Sequence, residues 1–127
     1  MTVITTKLEE NLVTLGGAQN RQVVRTEYNE PREFMNPGEL LAASLGACMM
    51  TMVGFLASRR NESVAGTKVH VEPSFDEKHS RITSFTVTFE FPETLTQTQK
   101  DFYAKAAQGC PVHNSLREDI SYKVIVK

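Results

Sequence analysis

The clearest pattern along the chain is an alternation of apolar and polar residues between positions 81 and 91. The apolar positions are Ile82, Phe85, Val87, Phe89 and Phe91, and the polar ones between them are Thr83, Thr86, Thr88 and Glu90. This period of two is typical of a strand with one face in water. A preceding strand is predicted over Lys68 to Phe75, with Asp76 to Ser80 as the hairpin loop.

A different pattern begins at residue 36, in "NPGELLAASLGACMM". Asn36 suits a helix N-cap, Pro37 the first helical position, and Glu39 the third position of a capping box. We therefore predict a helix from here to about Arg60, where two arginines face the negative end of its dipole.

The 19 residues from Leu40 to Ser58 carry no charge, which is close to the length of a membrane span. Small and polar residues interrupt the stretch, and the rest of the chain is polar with strand-like alternation. These features favour a helix buried on nearly every side, and no membrane. The residues before Cys48 are small and would let another helix approach closely: Ala42, Ala43, Ser44, Gly46 and Ala47. We expect a second subunit to cover part of this helix.

The first 28 residues predict short strands, over Val3 to Leu8, over Leu12 to Leu15 and from Val23 onwards. Gly16-Gly17 and Asn20 are predicted as turns.

Near the end of the chain, Thr96 and Gln99 form a second capping box and open a helix to about Gln108. Gly109 suits a left-handed helix end. A short helix in "PVHNSLRE" and a strand over Tyr122 to Val126 complete the chain. This order predicts a single α+β domain over residues 1–127, with helices on one side of a mainly antiparallel sheet.

Composition narrows the range of partners. The chain has 127 residues, 23% of them charged, and a formal net charge of -1. It has no excess of basic residues to neutralise phosphates, so we expect no nucleic-acid partner. The first ten residues do not resemble a secretory signal, and we expect a cytoplasmic protein.

The two cysteines, Cys48 and Cys110, stand 62 positions apart and are expected to be free thiols at rest in a reducing compartment. Cys110 precedes the proline of the short helix, and helix starts favour the thiolate, to which His113 would add charge or a proton. Both cysteines have plain structural alternatives as small buried residues. Cys110 and His113 also resemble half of a zinc site, but no second Cys/His pair exists, and we predict no metal.

The segments "NPGELLAASLGAC" and, 62 residues on, "GCPVHNSL" resemble the OsmC/Ohr family of organic hydroperoxide reductases. The first is similar to the family's Asn/Ser-Pro-x-Glu-Leu-Leu-x-Ala-x-Leu-x-Ala-Cys entry to the central helix. The second is similar to its Cys-Pro-Val-x-x-x-Leu turn. The resemblance covers most of the chain and is weakest in the N-terminal strands.

The resemblance implies an intertwined homodimer, in which sheets from both chains wrap two central helices. It further implies that Cys48 is the peroxidatic thiolate and Cys110 the resolving thiol. Attack on the O–O bond would give a sulfenic acid, then a disulfide, which a small or lipoyl-type dithiol would reduce. No metal or organic cofactor is implied.

The chain departs from better-studied members at the residue after the helix-start proline. Their catalytic glutamate stands there, whereas this chain has Gly38, with the acid one later at Glu39. It therefore resembles a branch with Gly or Met at that position. One step moves a carboxylate about 100° around a helix, so Glu39 is assigned first to capping. The family's supporting arginine is expected to be Arg25 or Arg32.

The sequence supports two hypotheses for the function. The first is a thiol-dependent peroxidase for organic hydroperoxides in oxidative-stress defence, since Met49, Met52 and Phe55 near Cys48 suit an apolar substrate. The alternative is a non-catalytic dimer of the same fold that binds a small apolar ligand or partner, motivated by Gly38.

Overall fold

The computed structural model describes residues 2–127, which form two compact units, one ending at Leu41 and the other covering Ala42–Lys127. The elements are β1 (Ile4–Leu8), β2 (Val13–Ala18), β3 (Val24–Glu27), α1 (Pro37–Arg59), β4 (Lys68–Phe75), β5 (Ile82–Glu90), α2 (Gln97–Ala107), α3 (Pro111–Ser115) and β6 (Ser121–Val126). A single 3₁₀ turn, Glu10–Leu12, joins β1 to β2. The fold is α+β, as predicted from the order of patterns.

The N-terminal unit is built on an antiparallel sheet in the order β1-β2-β3. The prediction of a turn at Gly16-Gly17 was wrong, because both glycines lie inside β2. Gly16 pairs with Thr6 of β1, and a Cβ atom there would stand 2.7 Å from the Thr6 hydroxyl oxygen. The glycine therefore permits a close approach of strands. Asn20 does lie in the turn after β2, with a φ of 63°.

The start of α1 has the reciprocal hydrogen bonds of a capping box. The Glu39 N–H donates to Asn36 Oδ1 at 2.8 Å, and the Asn36 N–H donates to Glu39 Oε1 at 2.9 Å. Pro37 is the first helical residue, where its missing N–H costs nothing. The helix therefore begins where its sequence predicts.

The C-terminal unit holds a mixed sheet in the order β4-β5-β6. β4 and β5 form an antiparallel hairpin, closed by the Asp76 N–H donating to the Arg81 carbonyl at 3.1 Å. β6 returns through α2 and α3 to lie parallel to β5, with Tyr122 opposite Phe85.

Helix α1 packs against β4 at Gly46, where a Cβ atom would stand 3.3 Å from Val69 and 3.4 Å from Val71. The buried face of the helix carries Ala42, Leu45, Gly46, Met49, Val53 and Ala57. An uncharged face of α1 stays exposed in the single chain, and the expected cover from a second subunit stays a prediction. This face carries Ala43, Ser44, Ala47, Thr51, Phe55 and Ser58.

By length and composition alone, α1 would also suit a membrane span. A core helix of a soluble protein passes the same test, so the feature is weak support for a membrane protein. That the protein does not bind a membrane stays a prediction.

The segment from α2 to α3 follows its sequence signals at the start and departs from them at the end. Thr96 and Gln99 form the predicted capping box. Gly109, however, has no left-handed backbone, and among the residues described the one glycine with positive φ is Gly66. The chain instead continues from Gln108 through right-handed turns, with the Cys110 N–H donating to the Ala107 carbonyl. α3 then ends at Ser115, earlier than its sequence predicts.

Candidate active site

The two cysteines, far apart in sequence, lie side by side in the C-terminal unit. Cys48 comes from the middle of α1 and is half-buried, whereas Cys110 precedes α3 and is fully buried in the core. The Cys48 side chain is near enough to Cys110 to raise the pKa of the Cys110 thiol, and both residues are free thiols. The structure thus brings together the pair that the sequence predicts, on two different elements.

Cys110 occupies the N-cap position of α3. Its Sγ accepts a hydrogen bond from the His113 N–H at 3.4 Å. Burial nevertheless raises the pKa of Cys110 above its ordinary value, and the neighbouring Cys48 raises it further, while the His113 N–H opposes both. The expectation that the helix start favours a Cys110 thiolate was therefore wrong, because loss of hydration outweighs the backbone donors of His113 and Val112.

Aromatic side chains form the wall next to Cys110. The His113 ring lies against the Tyr122 ring, with centroids 4.2 Å apart, and the other neighbour of Tyr122 is Phe85, stacked at 5.7 Å. The Tyr122 hydroxyl is buried and has no hydrogen-bond partner among residues 2–127. Burial raises the pKa of Tyr122, and the adjacent Cys110 adds to the rise.

A carboxylate and a guanidinium pair in the N-terminal unit. Arg32 donates to Glu39 Oε1, and its Nε donates to Glu30 Oε1 at 2.9 Å. The hydrogen bond from Arg32 holds the pKa of Glu39 below its ordinary value, and the Asn36 N–H adds to this effect. Glu39 therefore has both the capping role assigned from sequence and an arginine partner.

The second arginine candidate lies elsewhere in the same unit. Arg25 Nη2 is 3.8 Å from Glu27 Oε2, and its guanidinium lies over the Phe34 ring, 5.2 Å from the centroid. Of the two arginines that the sequence offers, Arg32 is the one bonded to Glu39. Their roles in a reaction remain predictions.

Side chains that commonly bind metals do not converge in the described part of the chain. Within residues 2–127, no group of three or more His, Cys, Asp or Glu side chains is arranged to hold a metal ion. The prediction that the protein needs no metal is not decided by this geometry.

Sequence reasoning missed Tyr122, which it assigned only to a strand. The parallel pairing of β6 with β5 places Tyr122 opposite Phe85, and no local pattern indicates that pairing. The signal available was an aromatic residue in a strand shortly after a cysteine, which is too common to single out.

A helix packed on a mixed sheet, with one thiol on the helix and a second at the start of a short helix, defines an α+β protein with a candidate dithiol site. A family model described as OsmC-like protein matches residues 30–125 of the chain. The chain therefore belongs to the OsmC-like protein family. The resemblance seen in its sequence motifs is confirmed at this level.

Solved structures agree with this assignment. A Psychrobacter arcticus 273-4 protein, named for osmotic stress induction and detoxification response, is 26% identical with a TM-score of 0.91, over 100% of this chain and 96% of that one. An organic hydroperoxide resistance protein OsmC from Legionella pneumophila is 17% identical with a TM-score of 0.76, over 100% and 96% of the two chains. OhrB, the organic hydroperoxide resistance protein of Bacillus subtilis, is 16% identical with a TM-score of 0.72, over 100% and 98%. A search of curated proteins found no significant match.

Proposed function

We propose that the protein is a thiol-dependent peroxidase that reduces organic hydroperoxides in oxidative-stress defence in the cytoplasm. The observation that carries the proposal is the pairing of two free thiols, Cys48 and Cys110, from distant segments of the chain. Family membership supports it, as does the naming of two solved structures of this fold for organic hydroperoxide resistance.

In the first step the Cys48 thiolate attacks one oxygen of the hydroperoxide. The O–O bond breaks, Cys48 becomes a sulfenic acid carrying the terminal hydroxyl group, and the alkoxide takes a proton from water and leaves as an alcohol. Cys48 suits this role better than Cys110 because it is half-buried, and a substrate can reach it. Met52 and Leu56, partly buried on the same helix, supply apolar surroundings.

In the second step the Cys110 sulfur attacks the sulfur of the sulfenic acid. A disulfide forms and water leaves, and an external small or lipoyl-type dithiol then returns both thiols. A raised pKa suits Cys110 to this role, because it remains a protonated thiol until the sulfenic acid forms beside it.

We further propose that the active protein is a homodimer. The exposed face of α1 carries no charge and includes Phe55, 55% exposed, and the strand β1 exposes all five of its residues. A second copy of the chain would cover such surfaces. Sedimentation of the purified protein as a monomer would contradict this part of the proposal.

The function is tested by following consumption of an alkyl hydroperoxide with a dithiol reductant. Cys48→Ser is expected to abolish turnover, whereas Cys110→Ser should form the sulfenic acid once, detectable by a sulfenate-specific reagent, and then stop. Met50→Leu, a volume-conserving change of a neighbouring residue, serves as the control and should retain turnover. Turnover unchanged by Cys48→Ser would refute the proposal.

The alternative, a non-catalytic dimer that binds a small apolar ligand, is supported by the exposed Phe55 and by Gly38 in place of the family's glutamate. It predicts a Cys48 with the reactivity of an ordinary thiol. The pH dependence of Cys48 alkylation in Cys110→Ser separates the two functions, since a thiolate present well below neutral pH would contradict the binding protein.

A further inference from the structure

Tyr122 presents a buried hydroxyl that the structure leaves without a hydrogen-bond partner among the residues it describes. A buried donor without an acceptor is destabilising, and native structures satisfy nearly all such groups. An unpaired donor on a ring that packs against His113, three residues from Cys110, therefore requires an explanation. The Cys110 sulfur offers one, because a sulfur becomes a much stronger acceptor when it loses its proton.

The Tyr122 ring is fixed from two sides. Phe85, its register partner on β5, stacks on one side, and His113 of α3 lies against it with ring centroids 4.2 Å apart. The backbone N–H of that same His113 donates to Cys110 Sγ. The tyrosine is thus tied to the segment that holds the cysteine.

The titratable groups around Cys110 come from three elements. Cys48 faces it from α1, His113 lies three residues after it in α3, and Tyr122 faces it from β6 closely enough that charge on Cys110 disfavours charge on the phenol. Because the pKa of Tyr122 is raised, the phenol keeps its proton at neutral pH and is available as a donor.

We propose that Tyr122 is a positioning residue for the resolving step, which donates a hydrogen bond from its hydroxyl to the Cys110 sulfur as that sulfur becomes a thiolate. This role rests on the proposed peroxidase function. It adds Tyr122 to the site residues that the sequence offered, which are Cys48, Cys110, Glu39, Arg25 and Arg32.

In this step the Cys110 sulfur forms a bond to the Cys48 sulfur while the S–O bond of the sulfenic acid breaks. The proton from Cys110 leaves with the hydroxyl group as water, so that Cys110 is oxidised and the sulfenic sulfur is reduced. Tyr122 keeps its proton throughout. Its hydrogen bond lowers the cost of creating a charge in a site where burial opposes charge.

The first test observes Cys110 alone, in a Cys48→Ala background where it is the single cysteine. Labelling cysteine with ¹³C at Cβ gives one resonance whose shift follows the thiol to thiolate titration without access by a reagent. Tyr122→Phe is expected to reduce the thiolate fraction at a given pH by about tenfold, the effect of one charge-assisted hydrogen bond. An unchanged titration in the folded variant would overturn the proposal.

Tyr103→Phe is the matched control. Tyr103 is also buried, but its hydroxyl donates to Glu62, so the substitution should leave the Cys110 titration unchanged. Fluorotyrosine at position 122 provides a second variant should Tyr122→Phe fail to fold, because it retains the ring and strengthens the donor. It is expected to shift the titration in the opposite direction.

The second test follows the reaction in single turnover with an alkyl hydroperoxide. Tyr122→Phe should form the sulfenic acid at the normal rate and then form the disulfide about tenfold more slowly, with more sulfinic acid at high peroxide. Equal slowing of both steps would indicate a merely structural role and would refute the inference. Absence of any turnover in the unsubstituted protein would instead refute the proposed function, whereas the Cys110 titration would still show whether the contact exists.

Discussion

Two helix starts in this protein use the same hydrogen-bonding arrangement with opposite results. At α1 the Asn36 Oδ1 accepts from the N–H three residues on, and at α3 the Cys110 Sγ does the same. The acid at the first start, Glu39, has a lowered pKa because Arg32 and a backbone N–H donate to it. The acid at the second start is Cys110 itself, and its pKa is raised because it is buried.

The difference teaches that a position at a helix start does not determine ionisation by itself. Backbone donors and the dipole favour an anion by a modest amount at the protein surface. Complete burial opposes an anion by more than this amount unless further donors are present. The number of donors and the access of water must therefore be known before a thiol at a helix start is called a thiolate.

The largest expected effect comes from placing aspartate at the two caps. By capping preference alone, Cys110→Asp should strengthen α3. We expect instead a loss of about 3 kcal/mol in the free energy of unfolding at neutral pH, because a carboxylate in this buried site must be desolvated or protonated. Asn36→Asp should change stability by less than about 0.5 kcal/mol, since Asn36 is partly exposed and Asn and Asp are equally good caps.

Urea unfolding at one fixed protein concentration measures both changes. Because burial raises the folded-state pKa of the introduced aspartate, the destabilisation in Cys110→Asp should diminish as the pH falls. Cys110→Ala reports the loss of the sulfur alone, about 1 kcal/mol. Equal responses of the two caps to aspartate would contradict the comparison.

An intermediate effect is expected from removing the cap of α1. Asn36→Ala should lower the free energy of unfolding by about 1 kcal/mol, since the Glu39 N–H loses its acceptor. Asn36→Ser keeps an oxygen in place and is the control, with a loss of a few tenths of a kcal/mol. A midpoint in urea unaffected by the alanine would show that this cap does not stabilise the helix.

The smallest effect is expected from Glu39→Gln. The lowered pKa of Glu39 means that its contribution to stability is present above the unfolded-state pKa and is lost as the pH falls through the folded-state pKa. The variant should therefore be slightly less stable than the parent at neutral pH, and the two should converge in acid. Because the pair is partly exposed, added salt should also reduce the difference. A difference that grows in acid would contradict the assignment.

Local signals predicted much of the fold. The capping boxes at Asn36 and Thr96 located the starts of α1 and α2, and the alternation in β5 identified the strand and its buried face. The predictions from two glycines were wrong. Gly16 allows two strands to approach closely and does not form a turn, and Gly109 lacks the left-handed backbone expected at a helix end. The first use depends on a strand partner distant in sequence and the second on the path of the chain into α3, and local patterns contain neither.

Some features of the candidate site were also predictable from local motifs, and others were not. Cys48 and Cys110 stood out through their motifs, and the structure places them near each other. Tyr122 and the raised pKa of Cys110 were not predictable from sequence. Each depends on the parallel pairing of β6 with β5 and on the depth of the core, which arise only when the whole unit has folded.

The closeness of Cys48 to Cys110 also has a mechanical consequence. A bond between these sulfurs would tie α1 to the segment before α3 and close a loop of 62 positions. Chain-entropy arguments give such a cross-link about 4 kcal/mol of resistance to unfolding. The melting temperature would then act as a gauge of the redox state, so that a thermal scan of oxidised and reduced samples distinguishes them without any substrate.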